Sequence, residues 1–170
     1  MANVLAAFKR VTTFIIDLDG VLTDGSLLIL ENGLYARKLH VKDSFAMQMA
    51  VKKGYRVAVI AGGVADPVKE RLLKLGIRDV EMPVADKTAF IRQYISTHQL
   101  DVSEVLYIAD DLPDVAALKI AGMPCCPADA APEVLKIVKY VASLKGGEGC
   151  VREVIEKVLK LNDHWTYEES

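Results

Sequence analysis

Short apolar runs alternate with amphipathic stretches along most of the chain. Val11 to Ile16 is brief and rich in β-branched residues, which predicts a buried parallel strand. The same reading predicts strands over Arg56 to Ala61, Val80 to Met82, Val105 to Ile108 and Pro124 to Cys126. Helical patterns lie between them. Asp43-Ser44 is placed to cap a helix that runs to about Lys53 and stops at Gly54. Asp66-Pro67 opens a second that ends at Gly76, and Asp86 is placed to cap a third from Lys87 to about His98. Asp114 to about Ala121 is a fourth, and Pro132 opens a fifth. In Val151 to Leu161 the apolar residues Val151, Val154, Ile155, Val158 and Leu159 mark a helix with one buried face. Asn32-Gly33 predicts a hairpin over about residues 26–39, and Asn162 to Ser170 reads as a loose tail. Strands alternating with helices imply α/β architecture, a doubly wound parallel sheet of Rossmann-like type in a single domain over residues 1–170. No insertion is long enough to form a separate cap domain.

The composition agrees with one globular domain: 170 residues, 52% hydrophobic and 26% charged. The formal net charge of -2 gives no electrostatic case for nucleic acid. No apolar run approaches the roughly 20 residues that span a bilayer, and residues 1–10 lack a leader pattern, so the cytoplasm is the expected location and no membrane partner is expected. Cys125, Cys126 and Cys150 are odd in number and form no Cys-x-x-Cys, which favours reduced packing thiols. His40, His98 and His164 show no zinc-ligand spacing.

The candidate chemistry gathers at predicted strand ends. Asp17 and Asp19 follow the first strand, and Gly20 turns the chain after them. Residues two apart on a strand share a face, so the two carboxylates repel unless a proton or cation lies between them. A hard cation such as Mg²⁺ takes oxygen ligands. Asp17 then suits the role of a nucleophile at phosphorus, and Asp19 that of a general acid and base. A bare Asp-x-Asp pair often does no more than cap a turn. Gly62-Gly63 after the second core strand can present backbone N–H groups to a phosphate, although glycines are common in such loops. Lys87 is poorly placed to stabilise the start of its own helix, which makes a ligand role more plausible, although a solvated surface Lys is the commoner case. Asp110, Asp111 and Asp114 crowd three carboxylates into five positions, more than a helix cap requires.

The string Asp17-Leu18-Asp19-Gly20-Val21-Leu22-Thr23-Asp24-Gly25 resembles the first motif of the haloacid dehalogenase superfamily. Its Val-Leu-Thr-Asp-Gly ending is most similar to the capless sugar-acid phosphatases of that superfamily. Lys87 resembles the third motif, Ala109-Asp110-Asp111-Leu112-Pro113-Asp114 the fourth, and Gly146-Gly147-Glu148-Gly149-Cys150-Val151-Arg152-Glu153 a segment of the same phosphatases. The resemblance implies a sheet of haloacid dehalogenase type with a small hairpin flap. It implies Mg²⁺ held by Asp17, Asp110 and the Asp19 carbonyl, catalysis by Asp17, Asp19 and Lys87, and orienting roles for Asp111 and Asp114. Gly62 and Gly63 are implied at the phosphate, and Lys42, Asp43 and Arg71 at the sugar acid. The implied substrate is a phosphorylated sugar acid, foremost 3-deoxy-D-manno-octulosonate 8-phosphate as used in lipopolysaccharide biosynthesis, with a nine-carbon sugar-acid phosphate as the alternative. The implied assembly is a homo-oligomer, a tetramer, in which hairpins pack together. Ala61 stands where the second motif carries a hydroxyl, Gly63 where an Arg is frequent and Ala109 where Gly is usual. These departures keep a weakened or non-catalytic homologue as a second reading. A receiver domain fits less well, because the strand over Val80 to Met82 leads to Pro83 and no Asp before Asp86.

Overall fold

A computed structural model of the chain describes residues 4–166. Helix α1 (Val4–Arg10) precedes β1 (Thr13–Asp17), and a small hairpin follows, formed by β2 (Leu28–Ile29) and β3 (Tyr35–Ala36). Then come α2 (Val41–Lys52), β4 (Arg56–Ile60), α3 (Asp66–Lys74), β5 (Asp79–Glu81) and α4 (Lys87–Thr97). The chain continues through β6 (Val105–Ile108), α5 (Val115–Leu118), β7 (Met123–Cys126), α6 (Pro132–Leu135), β8 (Tyr140–Val141) and α7 (Cys150–Leu161).

Six strands form one parallel sheet in the order β5-β4-β1-β6-β7-β8. Every residue of β1 is buried, which explains the apolar run Phe14-Ile15-Ile16 at its centre. Phe14 and Ile16 join the core cluster that also receives α1, α2, α3 and α7, while Ile15 joins the cluster receiving α4, α5 and α6. The sheet is therefore covered on both faces, as the alternating pattern predicts. In the ladders, Asp17 pairs with Ile60 and Ile16 with Ile108. The carboxyl ends of β1, β4 and β6 thus finish side by side, where open α/β sheets bind ligands.

Several boundaries differ from the sequence expectations, for local reasons. Asp43 lies inside the first turn of α2, and its carboxylate accepts the Arg152 N–H at 2.6 Å instead of capping. Asp66 is the first residue of α3, with no side-chain cap at the preceding Ala65. Asp114 precedes α5 without capping it, and that helix is one turn shorter than its pattern suggests. Asp86 does cap α4, accepting the Ala89 N–H at 2.9 Å. Helix α1 and strand β8 were not foreseen, because both are too short to show a period. The tail expected to be loose is docked as far as Thr166. The Tyr55 hydroxyl and His164 Nδ1 are hydrogen-bonded at 2.8 Å, and the Arg152 guanidinium lies 4.6 Å from the Trp165 ring centre. Residues 167–170 lie outside the described residues.

Leaving β1, the chain winds through a tight turn over Leu18–Leu22, interrupted by an extended Asp19 and by Gly20 at φ 87°. A Cβ on Gly20 would collide with the Asp110 carboxylate. Thr23, fully buried, closes the turn by accepting the N–H groups of Gly20 and Gly25, each at 3.2 Å. The segment before α7 braces this turn from outside. Gly147 N–H donates to Val21 O at 2.9 Å, and a Cβ on Gly146 would collide with Gly20 O. The glycine-rich segment therefore allows backbone to lie on backbone. Gly146→Ala should lower the free energy of unfolding in urea by at least about 2 kcal/mol, the cost of forcing a side chain into packed backbone. A loss below about 0.5 kcal/mol, no more than a neutral surface change, would show that this brace is unimportant.

Candidate active site

Asp17 is the last residue of β1 and is 3% exposed. Its Oδ1 lies 2.9 Å from Lys87 Nζ, delivered by the first residue of α4. The same ammonium donates to Asp114 Oδ1 at 2.7 Å. The buried Tyr107 hydroxyl also donates to Asp114 Oδ1 at 2.7 Å. Tyr107, Asp114, Lys87 and Asp17 thus form one connected line of charge-assisted contacts. Asp110, just past β6, completes the group: carboxylate oxygens of Asp17, Asp110 and Asp114 all lie within 4.8 Å of one another.

Asp19 sits differently from the sequence expectation. Strand β1 ends at Asp17, so the alternation that would place both carboxylates on one strand face does not reach residue 19. Asp19 nevertheless lines the same cleft, of about 670 Å³. Its carboxylate takes two contacts from Arg37 on the return arm of the hairpin, Nε to Oδ1 at 2.7 Å and Nη2 to Oδ2 at 3.2 Å. Gly62 and Gly63 line the cleft, as do Asp86 and Asp111. Asp111 is exposed and accepts the Leu112 N–H at 2.8 Å.

The three residues assigned to the sugar acid by resemblance lie outside this cleft within one chain. Lys42 lines a groove beside Arg152 and Glu156, and Arg71 lines an apolar groove between the hairpin and α3. Asp43 is 1% exposed and fastens α2 to the start of α7. Burial pushes its carboxyl up to about 6.

Burial pushes the Asp17 carboxyl up to about 7, and Asp114 and Asp110 push the same way against Lys87. Burial, then Asp114 and Asp111, pushes Asp110 up to about 6. For Lys87, burial acts against the charged form, but Asp17 and Asp114 outweigh it and hold the ammonium above its usual range. Burial and the same carboxylates raise the Tyr107 phenol, so it stays a hydrogen-bond donor. The group therefore holds more negative charge than Lys87 offsets, which is the condition that favours a divalent cation. The donors are all oxygen, which suits a hard ion such as Mg²⁺. Asp114 already serves Lys87 and Tyr107, leaving Asp17 and Asp110 as the carboxylates best placed to ligate. Among the thiols, burial pushes Cys125 well above its usual range and Cys126 up to about 12, as inert packing groups require.

Three residues escaped the sequence reading. Thr23 was visible only as part of a motif. Tyr107 looked like one more apolar position in a buried strand. Arg37 lies eighteen residues from Asp19, and nothing in the spacing joins them.

No family model matches the chain. It is 30% identical over 161 residues to the 3-deoxy-D-manno-octulosonate 8-phosphate phosphatase KdsC of Yersinia pestis, covering 95% of this chain and 86% of that one. The enzyme of the same name from Escherichia coli strain K12 is 30% identical over 158 residues, covering 93% and 84%. Among solved structures, a 3-deoxy-D-manno-octulosonate 8-phosphate phosphatase from Moraxella catarrhalis, in complex with magnesium ion, phosphate ion and KDO, superposes with a TM-score of 0.92 at 28% identity. That match covers 96% of this chain and 95% of the other. The order of motifs, the cluster of carboxylates around one lysine and the relatives sharing nearly the whole length agree, and the chain belongs to the haloacid dehalogenase superfamily, among its capless sugar-acid phosphatases.

Proposed function

We propose that this phosphatase is a Mg²⁺-dependent phosphomonoesterase acting on a sugar-acid phosphate through an aspartyl-phosphate. The observation that carries the reading is Asp17 held at 2.9 Å by Lys87 beside Asp110, with Asp19 lining the same cleft. When bound by Asp17, Asp110 and the Asp19 carbonyl, Mg²⁺ would neutralise the phosphoryl group and help align it. Asp17 Oδ attacks phosphorus in line as the bond to the sugar oxygen breaks. Asp19 gives that oxygen a proton. Asp19 then takes a proton from water, which attacks the phosphoryl-aspartate and releases inorganic phosphate. Lys87 and the amides of Gly62 and Gly63 stabilise charge on the phosphoryl oxygens. The Ala61 N–H is committed to Glu81 O at 3.2 Å, whereas the N–H groups of Gly62 and Gly63 have no hydrogen-bond partner among the described residues.

The substrate favoured is 3-deoxy-D-manno-octulosonate 8-phosphate, supported by the names of the relatives and by the sugar acid held in the Moraxella catarrhalis structure. A nine-carbon sugar-acid phosphate is the alternative. The missing hydroxyl at Ala61 favours a modest rate, since one charged hydrogen bond is worth about 1.5–3 kcal/mol. Leu28, Ile29 and Leu34 on the hairpin are 64%, 70% and 62% exposed, a cost that packing hairpins together in a homotetramer would remove.

Phosphate release from a panel of sugar phosphates with Mg²⁺ tests the reaction. Asp17→Asn should lower turnover at least about a thousandfold, as loss of a nucleophile does. Release equal in wild type and variant on every substrate would refute catalysis. Light scattering should give a tetramer, and a monomer would remove the role given to the hairpin.

A further test concerns pH. Asp17 and Asp110 rise from the ordinary 3.8 to about 7 and about 6 in the fold. The folded state therefore binds their protons more tightly than the unfolded state does, and the stabilisation is complete below about pH 4 and lost as pH rises through about 7. Metal-free protein should lose thermal stability across that window, and Mg²⁺ at pH 7.5 should restore it. Asp110→Asn should flatten the pH slope and abolish the Mg²⁺ effect, both read by scanning fluorimetry. An unchanged Mg²⁺ effect in that variant would place the cation elsewhere.

A further inference from the structure

Six aspartates and one lysine line the cleft, an unfavourable setting for a phosphate ester. Lys87 is already engaged with Asp17 and Asp114. The loop after β4 contributes no side-chain donor, because residues 61–63 are Ala, Gly and Gly. A second cation stands at the edge of this space. The Arg37 side chain is only 6% exposed, held against Asp19 by two of its five N–H donors. Among the described residues, its remaining donors have no partner. Its Nη2 lies 3.8 Å from where a Cβ on Gly63 would be, so the guanidinium reaches over the glycine loop. One planar group therefore pairs with the general acid and base and lies beside the loop that borders the phosphoryl position, its Nη2 lying near both. A guanidinium suits such double duty, because its donors form a rigid fork matched to carboxylate and phosphate alike.

We propose that Arg37 is a substrate-binding residue, delivered by the hairpin, that pairs with Asp19 and donates to the phosphoryl group at the same time. The proposal deepens the phosphatase reading and relies on it for the identity of the anion. It gives the hairpin a chemical role in addition to its apolar surface: from the adjoining groove that Arg37 lines, the flap brings to Asp19, at the border of the cleft, a positive charge that the sheet does not supply. It also makes flap position sensitive to occupancy, since a bound phosphoryl group adds contacts to Arg37 that Asp19 alone does not make.

A merely structural Arg37 would neutralise Asp19 and do no more. Calorimetric titration of inorganic phosphate into the full-length protein with Mg²⁺ separates the two cases. Arg37→Ala should weaken phosphate binding at least about tenfold, the scale of a lost charge-assisted contact. The loss should persist when Asp19→Asn is the background, because direct contact does not depend on the charge of Asp19. Lys38→Ala, which removes an exposed hairpin charge paired with Asp24 at 3.5 Å, should bind phosphate within twofold of wild type and serves as the control for flap disturbance. The proposal is overturned if Arg37→Ala binds phosphate within twofold of wild type, if its effect vanishes in the Asp19→Asn background, if Lys38→Ala weakens binding equally, or if the wild type binds no phosphate. A wild type that binds phosphate through Arg37 yet hydrolyses no phosphomonoester would instead contradict the phosphatase reading and leave this one standing.

Discussion

Lys87 bridges two buried carboxylates at the carboxyl edge of the sheet, and most of the surrounding structure serves that contact. It reaches Asp17 and Asp114 at 2.9 Å and 2.7 Å, while Asp110 has no salt bridge among the described residues. Burial makes each attraction strong and each uncompensated charge costly. The result is a site that holds Asp17 in place and still favours one more positive charge. Tyr107 takes part by fixing Asp114 from the core side, so the lysine has one position instead of several. The sheet order puts β1 between β4 and β6, which is what brings the contributing loops together.

The backbone around Asp17 is held with equal care. Gly20 lets Asp110 approach, Thr23 ties the turn to itself, and the glycines before α7 lie directly against it. These contacts use backbone and small side chains, so they add rigidity without filling the cleft. Distant elements thereby set the position of Asp17: α7 begins where Asp43 receives the Arg152 N–H, and its approach segment braces the turn after β1. The hairpin closes the arrangement from the other side by placing Arg37 on Asp19.

The sheet was legible in the sequence because buried parallel strands read as short apolar runs, a rule that β6 follows throughout and β1 and β4 follow apart from Thr13, Asp17 and Arg56 at their ends. Asp17, Lys87 and Asp110 were legible because each follows a strand or opens a helix at a place where its charge has no local use. Helix starts were less reliable. Asp43 and Asp114 look like caps, yet each carboxylate is spent on a partner far along the chain, which no local pattern records. Arg37 and Tyr107 were hidden for the same reason: their significance lies in tertiary contacts with Asp19 and Asp114. Lys42 and Arg71 came only by resemblance, and within one chain they line grooves apart from the cleft.

In the proposed mechanism Asp17 forms the covalent bond to phosphorus. Rapid quenching during turnover, borohydride reduction of any acyl phosphate and peptide mass spectrometry would read this directly. A reduced side chain at position 17 is the expected result. Phosphate release with the reduced side chain at another aspartate, or at none, would contradict it.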